Sequence, residues 1–449
     1  MASWKLFVED YGRIKSAEIE MAPLTLFVGD NNSGKSFLLS LLWGIENLGI
    51  EAILGYSYAK TEEATSLFSW INKQIDTAIE YGTHSVPVNE IAELLEKLLN
   101  KELEKNKNKL VKNIFNSTQI SIGKIVIKFC DISDIKLNFQ FNDNFGMKMF
   151  AENCSQSFSI RDDMLRDKSF RVNSGILGLL LEGIYCLIMN INLHEKASGY
   201  IYLPAARTGF MLTKDIINNV GRKNTFNISN DKEIITPFVR PINHFLDIMG
   251  DMTLDGSGND KFLKLAVDIE KEMADGTIEI STMPNKEVQY IPNGYKKGLP
   301  LRLTSAVVTE LSPMTLILKH INRIEKFYYE EPEMCLHPQL QHKMGKIICR
   351  ALNSGIGMII TTHSDIILQH INNMIKSSKS EERIKVCEEL GYTEQDLLRC
   401  EQVKVYQLES KARAKTEVQE LSCGEDGFIV PTFNNALNVI MDEAYKIQG

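Results

Sequence analysis

Apolar and polar residues alternate over Trp4 to Glu9 and again over Ile14 to Met21. That period of two predicts two strands joined at Asp10-Tyr11-Gly12-Arg13, a hairpin. A short continuous apolar run, Leu24 to Val28, predicts a buried strand. Phe37, Leu38, Leu41, Leu42 and Ile45 then recur at helical spacing, so a buried helix follows. Residues 62–116 read as largely helical, with Val88, Ile91, Leu94, Leu95 and Leu98 on one face. β-Branched and aromatic residues predict strands over Gln119 to Phe129 and Ile135 to Phe141. Gly175 to Asn192 is the most membrane-like run; it carries Glu182 and reaches only the lower limit for a span, so it reads as a buried helix. Further strands are expected over Gly199 to Arg207, ending at a proline and an arginine, at Phe327 to Glu331 and at Ile356 to His363. The tail reads as Val403 to Glu409, Gly427 to Val430 and a helix over Phe433 to Ile447.

Between the strand ending at Val28 and the helix beginning near Phe37 stands Gly29-Asp-Asn31-Asn32-Ser33-Gly34-Lys35-Ser36. This is the G-x-x-x-x-G-K-[ST] pattern of a phosphate-binding loop, in the strand–loop–helix context it requires. Gly29 and Gly34 permit the tight turn and the close approach of backbone to phosphate. The loop amides and the start of the helix offer donors and positive partial charge to an anion. Lys35 is placed to reach the outer phosphates of ATP, and the Ser36 hydroxyl to hold Mg²⁺. Phe37 is the first helical residue behind them.

Two later apolar strands end in chemistry. Glu330-Glu331-Pro-Glu333 closes one. Glu330 suits the water shell of Mg²⁺ and Glu331 suits polarising a water for attack. Adjacent strand residues point to opposite faces, so the strand must end at this pair for both to reach one site, and Pro332 favours an ending there. The other strand ends at His363, a candidate partner for the γ-phosphate and its water.

Composition narrows the rest. The chain has 449 residues, so more than one compact lobe is expected. Fifty basic against 58 acidic residues leave a net charge of −8, which gives no bulk argument for nucleic-acid binding. Lys101, Lys105, Lys107, Lys109 and Lys112 suit either DNA phosphates or a solvated helix face. Glu102 and Glu104 among them favour the latter. Tyr290 to Arg302, with Lys296 and Lys297, is a weaker nucleic-acid candidate. Tyr11 and Arg13 are either nucleotide contacts or turn residues. Arg207 is either a phosphate or partner contact or half of a structural ion pair. Asp251, Asp255 and Asp260 lie on a segment without EF-hand spacing, read as an exposed loop. Eight cysteines include no C-x-x-C, so no zinc or redox pair is indicated, and free thiols in a reducing cytosol are expected.

The stretch from Glu330 to Gln341, E-E-P-E-M-C-L-H-P-Q-L-Q, strongly resembles the E/D-E-P-E-x-x-L-H-P-x-x-Q run of SMC-like and ABC-like AAA ATPases. The group it is most similar to is the overcoming-lysogenization-defect (OLD) class, which includes the ATPase subunits of the Septu, Gabija and PARIS anti-phage systems. Thr361-Thr-His363-Ser364 resembles its histidine switch. The resemblance covers residues 1 to about 60 and about 196 to 375. It implies an α/β fold, an ABC/SMC-like P-loop ATPase head with a mixed α+β insertion. Residues 1–60 would form the N-terminal part of the head, 61–195 the insertion and 196–449 the rest of the head with a tail.

By the same resemblance Glu330 is the Walker B acid, Glu331 the catalytic base and His337 a D-loop residue. Leu303 to Leu311 resembles a degenerate signature motif, with Thr304 and Ser305 facing the nucleotide of a second copy. Ala306 stands where the family carries glycine, which implies slow, switch-like hydrolysis. The implied partners are a second copy, head to head, and a separate effector. DNA is a further candidate and no membrane is expected. The C-terminal nuclease of some relatives needs a D-x-D strand, and no D-x-D follows His363. The implied role is an ATP-driven sensor or scaffold of a defence system. A RecF/SMC-like repair ATPase and a nucleotide-gated binding module are the alternatives.

Overall fold

A computed structural model describes residues 3–55, 58–143, 146–151, 157–161, 164–167, 171, 175–189, 191, 199–214, 238–252, 260–281, 287–410 and 415–448. The chain packs as two compact units. One comprises residues 1–21, 44–113 and 117–196; the other comprises residues 22–43, 114–116 and 197–449.

In the first unit, Ser3–Tyr11 and Ile14–Glu20 form the expected hairpin, with Tyr11 opposite Ile14 across a turn where Gly12 has φ 55°. Lys124–Cys130 pairs antiparallel with its first strand. Tyr11 is completely buried, so it serves this core and offers nothing to a ligand. A second antiparallel sheet runs Thr83–Pro87, Lys136–Asn142, Gly146–Ala151, Ser157–Ile160.

Helix Glu62–Tyr81 is capped by the Thr61 hydroxyl and buries Ala64, Leu67, Ile71, Gln74, Ile75 and Ala78, a stripe at helical spacing. It stops at Gly82, whose φ is 76°. The helical reading of 62–116 is therefore corrected in its middle. Thr83–Pro87 is a strand, and Asn89–Phe115 is a separate helix. On that helix Lys101 pairs with Glu63, Lys105 with Glu102 and Lys107 with Glu104. Those lysines are engaged within the protein, as on a solvated face.

Ile176–Met189 is almost wholly buried. Lys35–Leu54, not this segment, is the helix among the described residues long and apolar enough to cross a membrane, and 67% of its most apolar window is buried inside the protein.

The second unit is built on a sheet whose spatial order is Tyr200–Leu203, Lys326–Glu330, Gly357–Thr362, Leu24–Gly29, Val403–Glu409, Thr416–Leu421. The first five strands are parallel and the last is antiparallel to its neighbour. Registers of Tyr329 with Ile360, Ile360 with Leu26 and Leu26 with Val405 align their C-terminal ends on one edge. Both faces are covered, which is why these strands read as continuous apolar runs. Leu26, Val28, Phe327, Tyr329, Met358 and Ile360 form the core with Ile347 and Ile348 of helix Pro338–Asn353 and Ile371 of helix Asp365–Ser377.

Two tail expectations change. Thr416–Leu421 is a strand that no apolar run announces, and Cys400 and Cys423 are joined as a disulfide where free thiols are expected. Their 23-residue separation carries no motif, and only the fold brings the two segments together.

Candidate active site

The chain leaves the buried strand Leu24–Gly29 through Gly29, at φ 131°. A Cβ there would strike the Leu408 carbonyl oxygen of the neighbouring strand, so the position demands glycine twice over. Asn32 (φ 58°) and Gly34 (φ 104°) turn the loop back onto helix Lys35–Leu54. Asn31, Asn32 and Ser36 are exposed at its rim. Ser33 is buried, and its hydroxyl makes no hydrogen bond among the described residues. Phe37 stacks on Phe115, ring centroids 5.2 Å apart, behind the loop. The Lys35 ammonium donates to the carbonyls of Gly29 (3.0 Å) and Asp30 (2.6 Å), folded over the space the loop encloses.

Burial lowers the Lys35 pKa to about 8, against the opposing pull of Glu331, Asp30 and Glu333. Phosphate binding favours the ammonium form, so above pH 8 binding must take up a proton. The expected result is an ATP dissociation constant that rises up to about tenfold per pH unit above pH 8. Calorimetry at pH 9 in buffers of different ionisation enthalpy would register the proton taken up. A pH-independent affinity from 7 to 9.5 would contradict it.

On the next strand but one, Glu330 is the last residue in strand conformation. Its carboxylate accepts from the Tyr202 hydroxyl (2.8 Å) and the Ala205 amide (2.9 Å). A carboxylate has further lone pairs, so Glu330 can still accept from a metal-bound water. Glu331 then adopts φ 41°, left-handed for a non-glycine residue, with its amide held by the Thr361 carbonyl at 2.8 Å. The strand ends between the two acids, and the turn frees Glu331 from strand alternation. Glu331 Oε1 lies 3.8 Å from His363 Nε2.

Glu333 accepts from the His363 amide (2.6 Å) and the Thr362 hydroxyl (2.9 Å). Burial raises its pKa, while those two hydrogen bonds oppose the rise. Burial and the nearby Lys35 charge lower the pKa of His363, which keeps its ring neutral at pH 7. Ser364 donates to Gln341 Oε1 (2.8 Å) and caps the following helix through the Ile367 amide. His337 stands at the residue before helix Pro338–Asn353 and makes no side-chain capping hydrogen bond to it.

Glu333, Gln341 and Tyr202 are positioning groups that sequence reasoning did not single out. Glu333 and Gln341 sat in plain view inside the run from Glu330 to Gln341. Tyr202 carried no signal.

Lys35, Glu331, Glu333 and His363 thus share one end of the sheet. Arg207 does not face a ligand; it is fully buried and paired with Glu310. Ser305 is exposed and caps helix Ala306–His320 through the Val308 amide. Thr304 bonds within the same segment, to the Leu301 carbonyl (2.8 Å) and the Thr309 hydroxyl (3.3 Å). Of the weaker candidates, Tyr290 donates to the Ala274 and Asp275 carbonyls and Arg302 pairs with Glu287. Asp251 ends one helix and Asp260 begins another, and Asp255 lies outside the described residues.

The chain is similar to solved SMC heads. One is an SMC head bound to the C-winged helix domain of ScpA, at 11% identity and TM-score 0.38, covering 93% of this chain and 97% of that one. Another is the SMC head domain from Thermotoga maritima, at 10% identity and TM-score 0.35, covering 94% and 100%. A third is the SMC head from Pyrococcus furiosus with an extended coiled coil, bound to the C-terminal domain of ScpA, at 10% identity and TM-score 0.35, covering 99% and 100%. No curated protein matches. The family model of the AAA ATPase domain matches residues 4–368, most of the chain, and the chain belongs to the AAA ATPase domain family.

Proposed function

We propose that the chain binds ATP with Mg²⁺ and hydrolyses it as a slow switch. In this reading it is a cytoplasmic sensor or scaffold subunit of an anti-phage system, closing head to head on a second copy and controlling a separate effector such as a nuclease. The observation that carries the ATPase part is the convergence of Lys35, Glu331 and His363 at the ends of three parallel strands, beside a loop entered at Gly29, where only glycine fits. The defence role rests on the resemblance of the run Glu330 to Gln341 to that class.

Lys35 releases the Gly29 and Asp30 carbonyls and turns to the β- and γ-phosphates, with the loop amides and the buried Ser33 hydroxyl beside it. Ser36, and Glu330 through a bound water, would hold Mg²⁺, which would supply neutralisation of phosphate charge. Glu331 takes the proton of the attacking water. Neutral His363, 3.8 Å from Glu331, orients that water or the γ-phosphate by hydrogen bonding. The exposed amides at the start of helix Ala306–His320, with Thr304 and Ser305, suit the γ-phosphate of a second copy. The effector docks on residues 61–195 or the tail, leaving the nucleotide faces free for the pair.

The purified chain is expected to hydrolyse ATP with Mg²⁺ and to leave plasmid intact with Mg²⁺ or Mn²⁺. Cleavage or another toxic output should arise only with a protein encoded beside it. Metal-dependent nicking by the chain alone, abolished by changing one of its own acids, would overturn the separation of roles. Asp251, Asp255 and Asp260 are the first acids to change.

A further inference from the structure

Arg207 follows the strand Tyr200–Leu203 and is wholly shut off from solvent. Its guanidinium donates to three main-chain carbonyls: Pro204 at 2.7 Å, Glu330 at 2.5 Å and Glu331 at 3.0 Å. Its other partner is the Glu310 carboxylate, itself buried on helix Ala306–His320. The second Glu310 oxygen accepts from the Thr208 hydroxyl at 2.8 Å. The planar head lies over the Tyr329 ring, 4.6 Å from its centroid.

A buried ion pair is a poor device for stability alone, because desolvation offsets its attraction and an apolar pair would serve as well. Its placement gives it another use. Two of the three carbonyls belong to Glu330 and Glu331, the acids at the site. Glu331 sits at φ 41°, a conformation that L residues disfavour and that persists only where surroundings over-determine it. The Thr361 carbonyl holds its amide, and the guanidinium holds the carbonyls on either side of its Cα. A planar fork holds two neighbouring carbonyls with donors fixed in direction and spacing, whereas an ammonium is a compact point charge on a flexible stem.

We propose that Arg207 is a positioning residue, anchored by Glu310, that fixes the backbone of Glu331 and so aims its carboxylate. The inference rests on the reading of Glu331 as the base. Arg207 is shut off from solvent, and it acts on turnover through the Glu331 main chain. Because Glu310 rides on the helix that begins at Ser305, the same link ties the base to the segment offered to a second copy.

The test is steady-state hydrolysis with separate ATP-binding and melting measurements on Arg207→Lys and on the double variant Arg207→Met/Glu310→Leu. The double variant removes both charges, so neither is left buried alone. In each, kcat is expected to fall about 10- to 100-fold, as for a base displaced by about 1 Å, with the KM for ATP unchanged. Added to Glu331→Gln, either change should cost nothing more, because both act through one carboxylate. Wild-type kcat in a folded variant, whatever its melting temperature, would overturn the proposal. So would losses that multiply with those of Glu331→Gln. Should the double variant fail to fold, Arg207→Lys decides by the same readings. Glu331→Gln turning over at the wild-type rate would instead sink the assignment of the base.

Discussion

Replacing Lys35 by alanine is expected to weaken ATP binding by about 30- to 1,000-fold. That is the loss of one or two charge-assisted hydrogen bonds to phosphate at about 2–4 kcal/mol in all. Fold stability should not follow. The Lys35 cation is buried against two carbonyls, and burial lowers its pKa to about 8, so removing it relieves a desolvation cost. Titration with a fluorescent ATP analogue, beside a melting curve, separates the two effects. A folded Lys35→Ala protein with wild-type affinity would remove the phosphate loop from the account.

Glu331→Gln should leave ATP bound and almost uncleaved. The amide keeps the shape and the left-handed backbone but cannot take a proton. The expected loss in kcat is about 10²- to 10⁴-fold, the usual contribution of a general base. On the proposed head-to-head reading, retained ATP should keep two copies closed on each other, and light scattering with ATP should show the larger species accumulating. Turnover equal to wild type would place the base elsewhere. The neutral His363, 3.8 Å from Glu331, would be the next group to change.

Much of this site could be read along the chain because its signals are local. The strands Leu24–Gly29, Lys326–Glu330 and Gly357–Thr362 are buried on both faces, so each reads as an unbroken apolar run. The chemistry follows each run directly. What could not be read is the side-chain geometry between distant segments. The sequence leaves Arg207 open between a ligand contact and an ion pair, because Glu310, Glu330 and Glu331 stand more than a hundred residues away. Glu333 belongs to a recognisable run, yet its work is done on the amide of His363, 30 residues on. Thr416–Leu421 escaped because a strand made mostly of charged and polar residues has no apolar run to betray it. Thr83–Pro87 escaped because five residues between two amphipathic helices leave little period to measure.

The strand Val403–Glu409 lies outside the span that the family model matches, yet it runs beside the phosphate-loop strand. Its Leu408 carbonyl is what forbids a side chain at Gly29, and the Ser410 amide bonds Asp30 in the loop at 3.2 Å. A fragment cut at the family boundary would keep every motif residue and lose that neighbour. The phosphate-loop strand would then become a bare sheet edge, with its row of amides and carbonyls open to pairing with other chains. Such a fragment invites aggregation, and its loop would be free to drift from the phosphate-binding shape. Truncation experiments that aim to isolate the ATPase therefore have to carry the chain through Ser410 at least.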